Sequence, residues 1–212
     1  MASEPLSDLP AILERAYDFA VEHIDLSGCS YGKPHWQGPY IDGPQPYYYF
    51  LAGLLALRRA SRMLELGTHF GGAIFSAARG MAHQRSGPPP ELVTVDLRAR
   101  NPDAFLANPG VTRLIGNCLD PGLAERVRAS FSGPVDVMFV DVTHEYEQTK
   151  RCLDLYLPLV TPALVILDDI RLNPSMARLW ADLSAAYGDR ALDITDRARR
   201  EAVVGFGMLV VG

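Results

Sequence analysis

The spacing of apolar positions changes several times along the chain, and each change marks an element. Leu9, Ile12, Leu13, Tyr17 and Val21 recur at helical spacing, which predicts an amphipathic helix over 8–26. The stretch 27–47, "SGCSYGKPHWQGPYIDGPQPY", has no period and is rich in Gly, Pro and aromatics, so an irregular lid or loop is expected there. A second helix is predicted at about 46–59, "PYYYFLAGLLALRR". Beyond it, short apolar runs alternate with helical patterns. "RMLEL", "ELVTVDL", "VTRLIG", "VDVMFVD" and "ALVILDD" read as strands. "GGAIFSAARGMA", "PGLAERVRASF", "HEYEQTKRCLDLYLPLV" and "PSMARLWADLSAAYG" read as helices, and "NPDAFLANPG" as a short helix or turn. Unbroken aliphatic strands alternating with helices predict a parallel sheet covered on both faces. "ALDITD" and "GFGMLVVG" then read as a hairpin that adds an antiparallel edge. The expected fold is α/β, a doubly wound, mostly parallel seven-stranded sheet closed by an antiparallel hairpin and preceded by a helical and irregular lid. A single domain is expected over 1–212, with N-terminal helices and lid over 1–59 and the core over 60–212.

Composition narrows the partners. The 212 residues are 48% hydrophobic, enough for one sizeable core, and the formal net charge is -5 with charges of both signs interspersed. No long basic run is present, which argues against nucleic acid or an anionic membrane as the main partner. No apolar stretch is long enough to span a bilayer, and acidic residues precede the first apolar ones, unlike a signal peptide. Cys29, Cys118 and Cys152 are far apart in sequence and odd in number, so reduced thiols in a cytoplasmic protein are expected. The N-terminal helix and the apolar hairpin are surfaces through which copies of the chain could associate into a homo-oligomer.

Open α/β sheets bind ligands outside the carboxyl ends of their strands. The first strand ends "LELGTHFGGA", where Gly67 and Gly71 bracket the turn and would let backbone approach a ligand. The second strand ends in Asp96, well placed for ribose hydroxyls. His69 stands where a dinucleotide fingerprint needs glycine, so a pyrophosphate cradle is not expected. A tight turn with no ligand is the competing reading of the same glycines.

Together, "LELGTHFGG", Asp96, "LIGNCLD", "FVDVTHEYE" and "LVILDDI" resemble, in order, the motifs of class I S-adenosylmethionine-dependent methyltransferases. Within that class the chain looks most like the metal-dependent O-methyltransferase branch containing macrocin O-methyltransferase and the cephalosporin hydroxylase-like proteins, with catechol O-methyltransferase more distant. The likeness covers roughly 46–170 and implies a Rossmann-like fold. It implies that Glu65 sits near the methionine ammonium, that Gly67, Thr68 and His69 line the methionine and ribose, that Asp96 takes the ribose hydroxyls, and that Asn117 and Cys118 flank the adenine. Two of the motifs depart from the family pattern. Asn117 and Cys118 stand where an acid and Ser are usual, and Ala73 stands where Ser or Thr often reaches the methionine carboxylate.

The fourth and fifth strands end at Asp141 and Asp168, separated by room for one helix and two short loops. That is one βαβ unit, so the strands are expected to be parallel neighbours about 5 Å apart. Asp141, Asp168 and Asp169 would converge, and three half-buried carboxylates call for a cation. An all-oxygen set favours Mg²⁺, Ca²⁺ or Mn²⁺ over zinc, with Mg²⁺ the default, and the resemblance implies the same. The competing reading makes Asp141 or Asp169 a helix cap or an exposed loop acid. A metal could chelate neighbouring hydroxyls of a diol, such as a sugar or catechol, and lower a hydroxyl's pKa. His144 or Asp141 is the expected base; a helix-start histidine that only holds its loop is the alternative. The function expected is S-adenosylmethionine- and Mg²⁺-dependent O-methylation of a small hydroxylated molecule, such as a natural-product sugar, against a metal-independent methyltransferase or a non-catalytic nucleotide-binding module. Tyr47, Tyr48 and Tyr49 either wall a pocket or bury their rings, with burial favoured for at least two. His35, Trp36 and Tyr40 belong to the lid, Trp180 to the core, and His23 and His83 to the surface.

Overall fold

A computed structural model describes residues 8–30, 32, 43–83 and 87–212. The expected lid residues His35, Trp36 and Tyr40 lie outside them. Two helices come first, α1 (Leu9–His23) and α2 (Pro46–Leu57). The core then alternates: β1 (Arg62–Leu66), α3 (Gly72–Ala82), β2 (Glu91–Asp96), α4 (Pro102–Leu106), β3 (Val111–Ile115), α5 (Pro121–Ala129), β4 (Val137–Val140), α6 (Tyr146–Val160), β5 (Leu164–Asp168), α7 (Pro174–Tyr187), β6 (Ala191–Asp193) and β7 (Phe206–Val210). Every strand and helix expected from the apolar pattern is present.

The seven strands run in the order β3-β2-β1-β4-β5-β7-β6. β1 to β5 are parallel, and β7 pairs antiparallel with both β5 and β6, as the hairpin reading required. Alternation along the strands supplies two cores. Met63, Leu92, Val137, Phe139, Ile166 and Met208 face α1, α2 and α3; Leu64, Val93, Met138, Val140, Val165 and Leu209 face the layer of α5 and α6. β4 and β5 are buried along their whole length, which is why their sequences are continuous aliphatic runs.

The first helix departs from its expected face. Leu9 and Leu13 are buried as predicted, but Val21 is exposed, and Ala16 and Ala20 take the inner face instead. The cause is backbone proximity: a Cβ on Gly53 of α2 would lie 1.8 Å from the Ala16 carbonyl oxygen. Only small residues fit a crossing that close, and hydrophobicity alone ranks Val21 above Ala20.

The caps fix where the chain turns at the carboxyl edge. Asn173 accepts the Met176 N–H at the start of α7, and Asp120 accepts the Gly122 N–H at the start of α5. Glu145, not Asp141, occupies the cap position of α6. The reading of Asp141 or Asp169 as helix caps is therefore overturned. No helix among the described residues is long and apolar enough to cross a membrane.

Candidate functional site

Strand register assembles the site. Leu66 pairs with Val95 on one side and Val140 on the other, and Val140 pairs with Leu167. The residues that follow, Gly67, Asp96, Asp141 and Asp168, therefore emerge side by side at the carboxyl edge. The order reverses between β1 and β4, so this is the topological switch point, where open sheets leave a crevice.

Two cavities open there and share Asp141. The larger, about 470 Å³, is lined by Gly67, Asp96, Arg98, Arg100, Gly116, Asn117, Cys118, Asp141 and Gln148 among others. The smaller lies against Tyr47, Tyr48, Glu65, Thr68, His69 and Asp141. Glu65, Gly67, Thr68, His69, Asp96, Asn117, Cys118 and Asp141 thus all reach one continuous edge, as the sequence reading expected. Gly71 does not. It lines neither cavity, and a Cβ there would meet the Phe75 ring at 2.6 Å, so its glycine (φ +91°) serves packing and the turn into α3.

Gly67 also has a role other than the one expected. At φ +96°, a Cβ would fall 1.7 Å from the Asp141 carbonyl oxygen. The bare backbone lets the loop after β4 close onto the loop after β1, which seats Asp141 between the cavities.

Hydrogen bonds set the polar lining. Asp96 accepts the His69 N–H through Oδ2 at 2.8 Å and the Arg98 N–H through Oδ1 at 2.9 Å, so both oxygens are held by backbone. The Asn117 Oδ1, expected to face an adenine, already accepts the Leu119 N–H at 3.0 Å. Glu65 is buried, and burial lifts its carboxyl well above the ordinary value. Its Oε2 accepts the Thr94 hydroxyl, which is 2.6 Å from the Thr68 hydroxyl, while its Oε1 is buried with no partner. An unsatisfied buried oxygen beside a cavity fits a cationic donor such as an amino-acid ammonium.

The carboxylates converge as the βαβ spacing required, and the positive charge among them belongs to the protein. Arg200, in the connection between β6 and β7, sends Nε to Asp168 Oδ1 at 2.9 Å and Nη2 to Asp168 Oδ2 at 3.0 Å. The same Nη2 reaches Asp169 Oδ1 at 2.9 Å. His144 Nε2 lies 3.1 Å from Asp169 Oδ2 and 3.3 Å from Asp141 Oδ1. That nitrogen is buried between the two carboxylates, and the contact becomes an ion pair when the imidazole is protonated. The Asn173 side-chain amide donates to the His144 carbonyl at 2.8 Å and pins the loop to the start of α7.

The electrostatics follow from this packing. Burial and then Asp141 push the Asp168 carboxyl up to about 8, against the pull of Arg200. A two-pronged guanidinium is the partner an ionised carboxylate takes, and the geometry is that of an ion pair. Burial opposes the charge on Arg200, but Asp168 and Asp169 outweigh it and hold the guanidinium charged. Burial likewise raises Asp169, while contact with Asp141 raises His144 above the ordinary imidazole value despite its own burial.

The expected Mg²⁺ or Mn²⁺ set of Asp141, Asp168 and Asp169 does not fit an ion in this arrangement. Five of their six oxygens already face Arg200 or His144. Among the described residues, no group of three or more His, Cys, Asp or Glu side chains is disposed to hold a metal. Sequence reasoning missed Arg200 altogether; the signal it left was an arginine-rich connection, "DRARRE", between two apolar strands. It also missed that α6 brings Cys152 to Cys118, with the sulfurs 3.3 Å apart. Tyr47 and Tyr48 are buried as favoured, yet both also line the smaller cavity. Trp180 packs over Gly207, where a Cβ would meet its ring at 2.6 Å.

Comparisons with known proteins bear on this edge. A family model described as "Methyltransferase domain" matches residues 64–170. No curated protein matches the chain. Among solved structures, an O-methyltransferase from Bacillus cereus in complex with SAH is 20% identical, with 98% of this chain and 95% of that chain covered and a TM-score of 0.59. The O-methyltransferase TomG from Streptomyces achromogenes, involved in tomaymycin synthesis and solved with SAM, is 20% identical over 100% of this chain and 93% of that one, TM-score 0.60. MycE, a methyltransferase of the mycinamycin biosynthetic pathway solved with Mg and SAH, is 14% identical over 95% of this chain and 54% of that one, TM-score 0.55. At these identities the likeness is one of fold.

Proposed function

The chain belongs to the methyltransferase-domain family, and on that premise we propose that it transfers the methyl group of S-adenosylmethionine to a hydroxyl of a small molecule. The observation that carries the reading is the shared edge. A cavity running from Asp96 and Cys118 to Asp141 meets the smaller cavity, where Glu65 holds a buried, unpartnered oxygen, and Asp141, which lines both, is 3.3 Å from His144, which lines neither. The resemblance to structures of O-methyltransferases solved with SAM or SAH supports this class of reaction.

When bound, the cofactor would supply an electrophilic methyl on a sulfonium. The residues of this chain would do the rest. Glu65 would take the ammonium, and Asp96 the ribose hydroxyls, its two oxygens fixed in place by the backbone bonds from His69 and Arg98. Cys118 and the Asn117 amide would border the adenine. With three ionised carboxylates against one guanidinium, the cluster carries two net negative charges while His144 is neutral, and one once His144 has taken a proton. That charge, through Asp141, faces the junction of the cavities and suits a sulfonium. His144 would receive the hydroxyl proton. Its Nε2 is turned to Asp141 and Asp169, so Nδ1 is the nitrogen left to accept it, and the two acids stabilise the imidazolium that results.

The whole of 1–212 is read as one domain serving this reaction, with α1 and α2 roofing the sheet and Tyr47 and Tyr48 bringing that roof to the pocket. A Mg²⁺-assisted version keeps the convergence of Asp141, Asp168 and Asp169 in its favour but requires Arg200 to leave them. Calorimetry with S-adenosylhomocysteine tests the main reading. Micromolar binding that is weakened by Asp96→Ala is expected; no binding would leave a non-catalytic module of the same fold.

A further inference from the structure

We propose that Arg200 is the resident cation of the carboxylate cluster, standing where a divalent ion would have to sit, and that it positions His144 through Asp169 without any metal. This deepens the function proposed above and rests on it only for the part His144 plays in catalysis.

The geometry is specific. A divalent magnesium needs six oxygens at about 2.1 Å in an octahedron. Here the Arg200 fork spans both oxygens of Asp168 and one of Asp169, and His144 covers the other oxygen of Asp169 and one of Asp141. That leaves only the second oxygen of Asp141, which lines both cavities, and one oxygen does not make a divalent site. Asp168 is 3% exposed and Asp169 8%, so neither can turn to solvent to make room.

The guanidinium is itself built in. Its carbon lies 4.8 Å from the centre of the buried Tyr47 ring, a distance at which a cation is attracted to the ring face. Its backbone N–H donates to the Thr195 carbonyl at 3.0 Å. The connection that carries it is anchored at both ends, by Ile194 N–H to the Phe206 carbonyl and Arg171 N–H to the Val204 carbonyl. Arg197 and Arg199 beside it turn the other way, to Glu14 and over the Tyr17 ring. Arg200 alone of the three is delivered to the acids.

A guanidinium and a divalent ion do different work on the same carboxylates. An ion would bind substrate oxygens directly. Arg200 spends its donors on Asp168, Asp169 and Glu201, so its effect passes through the acids. Asp169, fixed from one side by Arg200, holds His144 on the other.

The test uses the full chain stripped with EDTA, and Mn²⁺ as the probe, read by electron paramagnetic resonance and calorimetry. Wild type is expected to bind no stoichiometric Mn²⁺ and to bind S-adenosylhomocysteine equally well with and without EDTA. Arg200→Ala is expected to gain a single Mn²⁺ site, tighter than any in wild type by at least about tenfold. That site should disappear in Arg200→Ala/Asp168→Asn. A purely structural role for Arg200 would not create a metal site. One Mn²⁺ bound by wild type and lost on Asp169→Asn would overturn the proposal, as would a folded Arg200→Ala with no gain. Arg200→Gln, which keeps most of the side-chain volume, replaces Arg200→Ala if that variant does not fold, and the wild-type result decides alone if neither does. Loss of S-adenosylhomocysteine binding would sink the proposed function and leave the Mn²⁺ result standing.

Discussion

Gly67→Ala is expected to damage stability and cofactor binding together. The added Cβ would stand 1.7 Å from the Asp141 carbonyl oxygen and 2.6 Å from its carbon, which are backbone atoms of a neighbouring loop. Overpacking of this kind costs about 1–3 kcal/mol. Holding an alanine at φ +96° adds about 1–3 kcal/mol of backbone strain. The sum, about 2–6 kcal/mol, is a large share of the roughly 5–15 kcal/mol that keeps a domain folded. In a chain of this size it lowers Tm by at least roughly 4 °C. The displaced loop carries Asp141 out of both cavities, so S-adenosylhomocysteine affinity should fall at least about tenfold, or 1.4 kcal/mol. Urea denaturation and calorimetry measure the two effects. Gly72→Ala is the comparison, because its Cβ would press on the Tyr48 side chain rather than on backbone. If Gly67→Ala lost less than about 1 kcal/mol and bound the product as wild type does, the account of Gly67 as a loop-closing residue would be wrong.

Other outcomes follow from the same geometry. His144→Ala should lower turnover by about 10²–10⁴ while sparing S-adenosylhomocysteine binding, and unchanged turnover would remove His144 from the mechanism. Glu65→Gln should weaken product binding yet stabilise the free protein. Burial raises the Glu65 carboxyl above its ordinary 4.5, so the wild-type fold loses stability as pH rises past that value, by about 1.4 kcal/mol per unit until the folded pKa is reached. The Tm gap between the two proteins should therefore widen with pH, and a gap that is flat across the range would refute it. Cys118 and Cys152 both line the larger cavity, but Cys118 is partly exposed with its thiol pulled down by the contact with Cys152, whereas Cys152, like Cys29, is buried with its thiol pushed up. One equivalent of iodoacetamide should label Cys118 first, and bound S-adenosylhomocysteine should slow that labelling, both read by peptide mass spectrometry.

The pattern of apolar residues was sufficient for the sheet, because β4 and β5 are buried on both faces and allow only aliphatic residues. It was also sufficient for the meeting of Asp141 with Asp168, since one crossover helix leaves parallel strands few other arrangements. The face of α1 was not legible. There, contact is set by how closely two backbones approach, and Ala16 against Gly53 carries no hydrophobic signature. The partner of the acids was not legible for a different reason. "DRARRE" offers Arg197, Arg199 and Arg200 in four residues, and which one turns inward depends on the connection's backbone, including a positive φ at Arg199. The closeness of Cys118 and Cys152 has the same origin, since it depends on how α6 lies over the loop after β3.

β7 has a consequence for how the molecule is made. It lies between β5 and β6, yet it is the last strand in sequence. A growing chain has β1 to β5 before it has β7, so β5 waits as a bare edge, open to pairing with other chains. In that interval Asp141, Asp168 and Asp169 repel one another with Arg200 not yet in place. Insertion of β7 closes the edge, and the connection that precedes it delivers the guanidinium in the same movement. A nascent chain of this protein is therefore expected to expose β5 to other chains until β7 has been made, and to complete its site only when β7 inserts.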